Sequence, residues 1–410
     1  MAKFDKKSFL LMWLVNPMIS AIYLFKNFKQ NTNIFPYLLL SIFFGISFIV
    51  STAGGDSQAY ALELEEYRIK NVTLVELFEG FYSAGSTTID IYQPLVTWLV
   101  SQFTGNSKVL FGVYSLVFGF FLFKSLIIVR SHLNIKLKGL ALLVFILLAL
   151  MNPLWSINGV RMWTAVAAFF YGMVSLHLDK SKASWVYLAL PMLIHFSMFM
   201  PFAIYLAYRF IPYKNMSVLM ALYVVTFFLG ELNLDIFKKY FLLLPGFMQS
   251  REGYLSDEYV DVINMKAEAK SFFYKTAALA LKWSIFGVAS LIYFYTIYKN
   301  KIKDRFMNEF FHMALIFMSF SNLVQVVPSG GRFLILSNLI LLTAFLFFLN
   351  KNIWMHPILR SFLKLSTLLV IILRIREGIE HFGIFLFIGS PFTNWFIIDT
   401  TLIEVLKSIF

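Results

Sequence analysis

The stretch from Phe333 to Leu349 reads FLILSNLILLTAFLFFL and contains no charged residue. It is as long as the shortest helix that crosses a bilayer, about 17 residues. Ten more apolar stretches occupy most of the chain, so the sequence predicts a protein built of membrane helices. They are Phe35–Ser51, Val109–Val129, Gly139–Leu154, Arg161–His177, Trp185–Tyr208, Ser217–Gly230, Phe272–Tyr298, Phe310–Val327, Ile358–Leu373 and Phe382–Ile398.

The composition excludes other classes of protein. Hydrophobic residues make up 59% of the 410 residues and charged residues 14%, against roughly 45–50% and about 25% in soluble domains. These values exclude a soluble enzyme, a disordered chain and a coiled coil. The apolar runs are also longer than the strands of a membrane barrel, which alternate in polarity over about ten residues. The predicted fold class is an all-α polytopic integral membrane protein, with about 11–13 transmembrane or re-entrant helices.

Prolines interrupt two of the apolar regions. Asn16-Pro17 follows the apolar run near the N-terminus, which we interpret as a retained anchor bent into a hairpin. Pro191 and Pro201 lie inside Trp185–Tyr208 and predict a break or a re-entrant hairpin there.

The distribution of charge orients the chain. The net charge is +13, and Lys and Arg cluster at the N-terminus and in short loops, which the positive-inside rule assigns to the cytoplasm. Two long loops, residues 53–107 and 231–270, then lie on the outer side of one transmembrane domain that covers residues 1–410. Residues 53–90 and 231–270 hold 14 of the 22 acidic residues, which favours a single working face.

Arginines on the outer side, where basic residues should be scarce, indicate an anion site. Arg161 ends the segment NPLWSINGVR and Arg332 ends PSGGR, and each segment precedes a predicted helix. Helix N-termini bind anions, paired glycines permit a concave nest of N–H groups, and guanidinium groups match phosphate oxygens. We therefore predict a diphosphate site at Arg161 and Arg332, with interfacial snorkelling as the alternative. Further candidates for this site are Arg251, Arg374 and Arg376.

Acidic and histidine side chains near this face are candidates for catalysis. Asp56 follows Gly54-Gly55, so its carboxylate either accepts a proton from a sugar hydroxyl or caps a helix. His195 lies inside an apolar segment, where an ionisable residue indicates function unless it is hydrogen-bonded structure. The predicted catalytic residues are Asp56, Glu63 and His195. The predicted glycan contacts, which could instead form an interfacial aromatic and polar belt, are Tyr60, Tyr92, Gln93 and Asn158.

Several motifs are absent from the sequence. It contains no phosphate-binding P-loop, no HExxH and no zinc-ligand spacing, and no cysteine for disulfides or thiolate sites. We therefore predict no cofactor and no metal, so that arginines neutralise the phosphate charge. Few charges lie inside the apolar stretches, which argues against an ion pump or a proton-coupled carrier.

Short motifs in consistent order resemble the EpsG/Wzy-type family of polysaccharide polymerases, in the branch found in Bacteroides-type bacteria. They include GGDS at residues 54–57, DIYQPL at 90–95, VFGFF at 117–121, WSINGVRMWTA at 155–165 and IHFS at 194–197. The resemblance covers roughly residues 8–350.

The resemblance implies a metal-independent glycosyltransferase of capsule, exopolysaccharide or O-antigen assembly in the bacterial inner membrane. Such an enzyme transfers the growing glycan from undecaprenyl diphosphate to the non-reducing end of a new lipid-linked repeat on the outer face. The resemblance also suggests a glycosyltransferase C-like architecture, with an acidic residue of the first outer loop in the role that Asp56 would take. Implied partners are these lipid-linked oligosaccharides, membrane lipids, and a chain-length regulator and flippase of the same pathway; no nucleic acid is expected.

Three other functions stay open at this point. A flippase for lipid-linked glycan would show two related halves, which the sequence lacks. An O-antigen ligase or a single-sugar transferase would use the same lipid and cannot be separated from a polymerase by sequence. A membrane scaffold without activity would have no need of the glycine–arginine turns.

Overall fold

The computed structural model describes residues 5–28, 32–50, 55–81, 90–210, 215–229, 265, 272–298, 304–325, 330–351, 355–379, 381–395 and 400–409. These residues form helices and no strand, with two isolated bridges, Phe48–Phe382 and Gly383–Thr401. The helices, numbered α1 to α19 in chain order, are Lys6–Val15, Pro17–Lys26, Phe35–Ile46, Asp56–Lys70, Leu74–Gly80, Tyr92–Ser101, Ser107–Ser131, Leu140–Met151, Val160–His177, Ser184–Ala189, Pro191–Ile194, Phe199–Phe210, Met216–Phe228, Phe272–Ile297, Arg305–Val324, Phe333–Leu349, Pro357–Ile379, Phe385–Ile388 and Leu402–Ile409. Short 3₁₀ turns cover Leu154–Gly159, Phe196–Met198 and Gly330–Arg332.

The helices confirm an all-α polytopic membrane protein. Within the described ranges, four helical stretches are long and apolar enough to cross a membrane, and three apolar helices are shorter. The long stretches are Ser107–Ser131, Leu140–His177, Ala278–Ile297 and Gly330–Leu349, and the short ones are Phe35–Ile46, Ser184–Ile194 and Met216–Phe228. The total of 11–13 and the single-domain division stay predictions.

Local sequence sets the helix boundaries. Asn16 ends α1 and also caps α2, where its side chain accepts from the N–H groups of Met18 and Ile19 and Pro17 is the first helical residue. This confirms the predicted interruption at Asn16-Pro17. The predicted break in Trp185–Tyr208 is also confirmed, because the backbone is extended at His195, between α11 and a 3₁₀ turn.

The bundle packs around α7, α9, α15 and α16. Helix α7 lies against α3 and α9, α15 pairs with α16, and α17 packs on α8 and α14. Fully buried aromatic rings fill the spaces between them, among them Tyr114, Phe118, Phe169, Phe310 and Phe345. These helices form a closely packed scaffold whose ends can hold side chains in fixed positions.

The predicted outer loop 53–90 contains two helices, α4 and α5, and the latter is stabilised by a capping box between Thr73 and Glu76. Two predicted helix boundaries are wrong. Helix α17 does not end at Leu373 but continues to Ile379, since an ion pair between Arg374 and Glu377 supports its last turns. Among its described residues, 382–395, the apolar stretch 382–398 contains one helix, the four-residue α18, which ends at Gly389 ahead of Pro391.

Candidate active site

One end of the bundle contains a cavity of about 290 Å³. Five parts of the chain meet at this cavity. They are the first turns of α4, α9 and α16, the end of α17 and the break at His195. Segments that are far apart in the sequence therefore converge here. Among the predicted site residues, those that line the cavity are Asp56, Tyr60, Asn158, Arg161, His195, Arg332 and Arg374.

Arg161 is held by a buried carboxylate. It lies one residue after the start of α9, as predicted, and its Nη1 is 3.3 Å from Oδ2 of Asp90, whose side chain is 2% exposed. The other oxygen of Asp90 accepts a hydrogen bond from the backbone N–H of Phe196 at 2.8 Å. Asp90 thus joins Arg161 to the segment that carries His195, and it fixes the two groups relative to each other.

The ring of His195 is oriented by its own turn. Its Nδ1 accepts hydrogen bonds from the backbone N–H of Ser197 at 3.3 Å and from the Ser197 hydroxyl at 2.8 Å. A backbone N–H can only donate, so Nδ1 carries no proton in this geometry. The neutral ring therefore bears its proton on Nε2, which makes this nitrogen a hydrogen-bond donor rather than a proton acceptor.

Arg332 ends a 3₁₀ turn directly before α16. Gly330 and Gly331 lie in this turn without the positive φ of a left-handed residue, and the concave nest of N–H groups stays a prediction. Gly330 is needed in this turn because a Cβ atom there would overlap the carbonyl group of Val324. Arg332 is exposed and, among the described residues, has no ion pair. Its charge is therefore available to a ligand.

The end of α17 provides a third arginine. Nη1 of Arg374 is 2.8 Å from Oε2 of Glu377, and both side chains line the cavity. His381 follows the helix, stacks on the ring of Phe48 at 5.3 Å between ring centroids, and also lines the cavity. Arg376, on the same helix, is exposed and does not line it, so the two predicted arginines of this region have different environments.

Asp56 is the first residue of α4 and follows Gly55, whose φ of 108° requires a glycine. The N-cap position is therefore occupied by Gly55, and Asp56 is not the helix cap. Its carboxylate lies beside the turn that contains Gly159, where a Cβ atom would be 3.5 Å from Oδ2 of Asp56. Asp56 makes no hydrogen bond or ion pair with a described residue, in contrast to Asp90 and Glu377.

Tyr60 lies one turn after Asp56 and is 4% exposed. Burial raises the pKa of Tyr60 to about 12, and the nearby positive charge of Arg161 partly opposes this rise. The Tyr60 hydroxyl interacts with the guanidinium group of Arg161, and it has no other hydrogen-bond partner among the described residues. The side-chain oxygen of Asn158, also on the cavity wall, has no hydrogen-bond partner there. Both residues line the cavity, although buried polar atoms without a partner also occur elsewhere among the described residues, for example at Ser115.

The remaining predicted residues do not line the cavity. Glu63 accepts hydrogen bonds from the Tyr67 hydroxyl at 2.6 Å and from the Gln93 amide. Gln93 is buried between α4 and α7, and its amide also donates to Thr97. Tyr92 packs against Tyr114 in the same layer. The side chains of Glu63 and Gln93 are thus engaged inside the bundle, and the hydroxyl of Tyr92 is buried there. None of the three residues lines the cavity. Arg251 lies outside the described residues.

Sequence reasoning missed several side chains of the site. Glu377, His381, Trp155 and Trp163 line the cavity, and Asp90 lies directly behind Arg161. Glu377 and His381 follow a stretch that is predicted to end at Leu373. Asp90 enters the sequence analysis as an outer-loop acid and as the first residue of the DIYQPL motif, without a role in the site. The i,i+3 spacing of Arg374 and Glu377 was the one available signal that α17 continues. Within the described part of the chain, no group of three or more His, Asp or Glu residues is arranged to hold a metal ion.

Comparison with protein families identifies a family model that matches most of the chain. The model of the EpsG family matches residues 32–380, a range that contains every described residue of the cavity except His381. No curated protein and no solved structure matches the chain.

Proposed function

We propose that this chain, which belongs to the EpsG family, is a membrane glycosyltransferase that polymerises lipid-linked oligosaccharide repeats. Its substrates would be glycans attached to undecaprenyl diphosphate. The growing glycan is transferred from this carrier to the non-reducing end of a new lipid-linked repeat.

The observation that carries this proposal is the cavity that holds Arg161, Arg332 and Arg374 together with Asp56. The three arginines come from three different helices, so no local sequence feature accounts for their convergence. Guanidinium groups at helix N-termini suit a diphosphate. A nearby carboxylate that has no ion pair within the described part of the chain suits the removal of a proton from a hydroxyl group.

The reaction requires two changes at one carbon atom. The bond between the anomeric carbon of the donor sugar and the diphosphate oxygen breaks, and the acceptor hydroxyl oxygen forms a new bond to that carbon. The acceptor proton passes to the carboxylate of Asp56. The bonding electrons leave with undecaprenyl diphosphate, whose added negative charge needs stabilisation.

We assign the stabilising role first to Arg332, because this arginine has no ion pair among the described residues. Arg161 and Arg374 add fixed positive charge, which Asp90 and Glu377 partly balance. His195 donates a hydrogen bond through Nε2–H to a ligand oxygen. In this assignment the protein's own cations neutralise the leaving group.

The placement in the cell is part of the proposal. The basic loops favour an orientation in which the cavity opens on the outer face of the bacterial inner membrane. The substrate would then arrive from a flippase, and a chain-length regulator would act on the product. Capsule, exopolysaccharide and O-antigen are the candidate products.

A reconstituted assay tests the proposal. Purified protein in lipid vesicles is incubated with a defined undecaprenyl-diphosphate-linked repeat, and the products are separated by size. A ladder of multiples supports a polymerase, and the Asp56→Asn variant should give none. Addition of a single sugar would indicate another transferase instead. Movement of the substrate across the vesicle without chemistry would indicate a flippase.

A further inference from the structure

The indole ring of Trp155 lies face-on against the last turn of α17. A Cβ atom at Gly378 would be 2.7 Å from both Cδ2 and Cε2 of this ring. These two carbons are shared by the five- and six-membered rings and bear no hydrogen. A Cβ atom on Gly378 could lie this close to both carbons only if it were above the plane of the ring. The backbone of α17 at Gly378 therefore faces the flat side of the indole. One face of the indole is covered by the helix, and Trp155 is also among the residues that line the cavity.

Neighbouring aromatic rings fix the position of this indole. The ring of Phe382 contacts Trp155 in a T-shaped arrangement, with 5.4 Å between centroids and 76° between planes. His381, the residue before Phe382, is itself fixed by its stacking on Phe48. Trp155 is thus held from two sides by the end of α17 and the segment that follows it.

Hydrogen-bonding groups lie on the same wall. Glu377 directly precedes Gly378 in the sequence, and His381 follows it by three residues. Both side chains line the cavity. Oε2 of Glu377 is engaged by Arg374, whereas Oε1 has no hydrogen bond to a described residue. The wall therefore combines a rigid aromatic surface with a carboxylate oxygen and an imidazole.

This combination suits a sugar ring. The π-face of an indole is electron-rich and attracts the polarised C–H groups of a pyranose face. A carboxylate accepts hydrogen bonds from hydroxyl groups, and a pocket of this kind fixes its ligand through a few polar contacts. The cavity, at about 290 Å³, lies at the lower limit of small-ligand pockets, about 300 Å³.

We propose that Trp155, Glu377 and His381 form the subsite for the sugar that is attached directly to the diphosphate. The inference rests on the proposed function, since it assumes a lipid diphosphate held by the cavity arginines. Arg374 links the two subsites, because it pairs with Glu377 and lines the same cavity. This subsite gives the enzyme its selectivity for the first sugar of the repeat.

Binding measurements with two probes test the subsite. The affinity of the detergent-solubilised protein is measured for undecaprenyl diphosphate and for the same lipid carrying the first sugar. Trp155→Leu should weaken binding of the sugar-bearing lipid by roughly five- to tenfold, the effect of losing one aromatic contact. Binding of the bare lipid diphosphate should change less than about twofold. Trp155→Phe should restore part of the lost affinity, since it retains a ring.

Matched variants separate a binding role from a folding role. Trp283→Leu removes an exposed tryptophan of α14 and should leave both affinities unchanged. Gly378→Ala keeps the indole but displaces it. This variant should therefore weaken binding of the sugar-bearing lipid and leave binding of the bare lipid diphosphate unchanged. The subsite is refuted if Trp155→Leu and Gly378→Ala weaken binding of the two lipids equally. It is also refuted if they weaken binding of neither lipid.

The outcomes for the wild-type protein distinguish this inference from the proposed function. If the wild-type protein prefers the sugar-bearing lipid through Trp155 but forms no polymer, the subsite stands and the polymerase proposal fails. If it binds neither lipid, both fail.

Discussion

The carboxylate of Asp90, 2% exposed, lies 3.3 Å from the guanidinium group of Arg161, 71 residues further along the chain. Removal of one member of a buried ion pair leaves the other charge without compensation, which costs roughly 3–5 kcal/mol. Arg161 is 30% exposed on its side chain, so we expect a smaller loss for Arg161→Ala, about 2–3 kcal/mol. Thermal unfolding in detergent measures this loss.

A double-mutant cycle provides the control for Arg161. In Asp90→Asn the side chain keeps an oxygen that can accept from the Phe196 N–H, while its charge is removed. Asp90→Asn combined with Arg161→Ala should therefore be more stable than Arg161→Ala alone. An additive double mutant would mean that the pair does not couple. Because Arg161→Ala affects folding, loss of polymer in that variant alone is weak evidence for a phosphate ligand.

Arg332 offers a cleaner test of the diphosphate site. It has no ion pair among the described residues, so Arg332→Ala leaves no charge stranded there. We expect polymer formation to fall by about 10²-fold or more, as for loss of one group that stabilises a leaving oxyanion. The melting temperature should stay near that of the wild type, and Arg332→Lys should recover only part of the activity.

Arg374 and Arg376 form a matched pair near the end of α17. Both were predicted from the sequence as diphosphate ligands, but only Arg374 lines the cavity, and Arg376 is exposed. Arg374→Ala should reduce polymer formation at least about tenfold, whereas Arg376→Ala should change it less than about twofold. Equal losses in the two variants would show that the cavity does not define the site.

Asp56 and Glu63 are two carboxylates on the same helix with different surroundings. Asp56 lines the cavity without an ion pair among the described residues, while Glu63 is engaged by Tyr67 and Gln93. Loss of a general base typically lowers turnover by about 10²–10⁴-fold, and we expect this for Asp56→Asn. Glu63→Gln should instead lower stability with little effect on turnover. Comparison of turnover and melting temperature in both variants assigns the base.

Tyr60 should act without ionising. Its pKa, raised by burial to about 12, lies above the value near 10 of an unfolded chain. The proton is bound in both the folded and the unfolded state below about pH 9, so Tyr60 adds no pH dependence to stability there. Tyr60→Phe should lower turnover by roughly three- to tenfold, because it removes one hydrogen bond between the hydroxyl group and the ligand. The factor should be constant between about pH 6 and pH 9; a factor that changes with pH would contradict a neutral hydroxyl.

Most of the fold could be predicted from the sequence, because the features that set its helices are local in the chain. Uncharged stretches such as Phe333–Leu349, and interruptions such as Asn16-Pro17, depend only on neighbouring residues. The starts of α9 and α16 were found for the same reason, and with them Arg161 and Arg332. The end of α17 was misplaced because hydropathy falls at Arg374, although the helical hydrogen bonds continue through charged residues.

The contacts of the candidate site could be predicted from the sequence only in part, because they join residues that are distant in the chain. Nothing near Asp90 in the sequence indicates that it pairs with Arg161. Tyr92 and Gln93 resemble glycan ligands by residue type, yet α6 turns them toward α4 and α7. Aromatic residues serve both cores and binding sites, so residue type alone could not separate Trp155 from Tyr92.

His195 provides a test that separates a hydrogen-bond donor from a base. Its Nδ1 accepts from the Ser197 N–H, and an asparagine at this position can supply a similar acceptor. His195→Asn should therefore keep the melting temperature, whereas His195→Ala should lose about 1 kcal/mol of stability with the cap. Both variants should lose turnover by about 10²-fold, since each lacks the Nε2–H donor. Added imidazole distinguishes the two roles, because a small base restores activity when a base has been removed but cannot replace a donor that is fixed in place. Recovery of the His195→Ala variant by imidazole would assign the proton transfer to His195 and leave Asp56 with a supporting role.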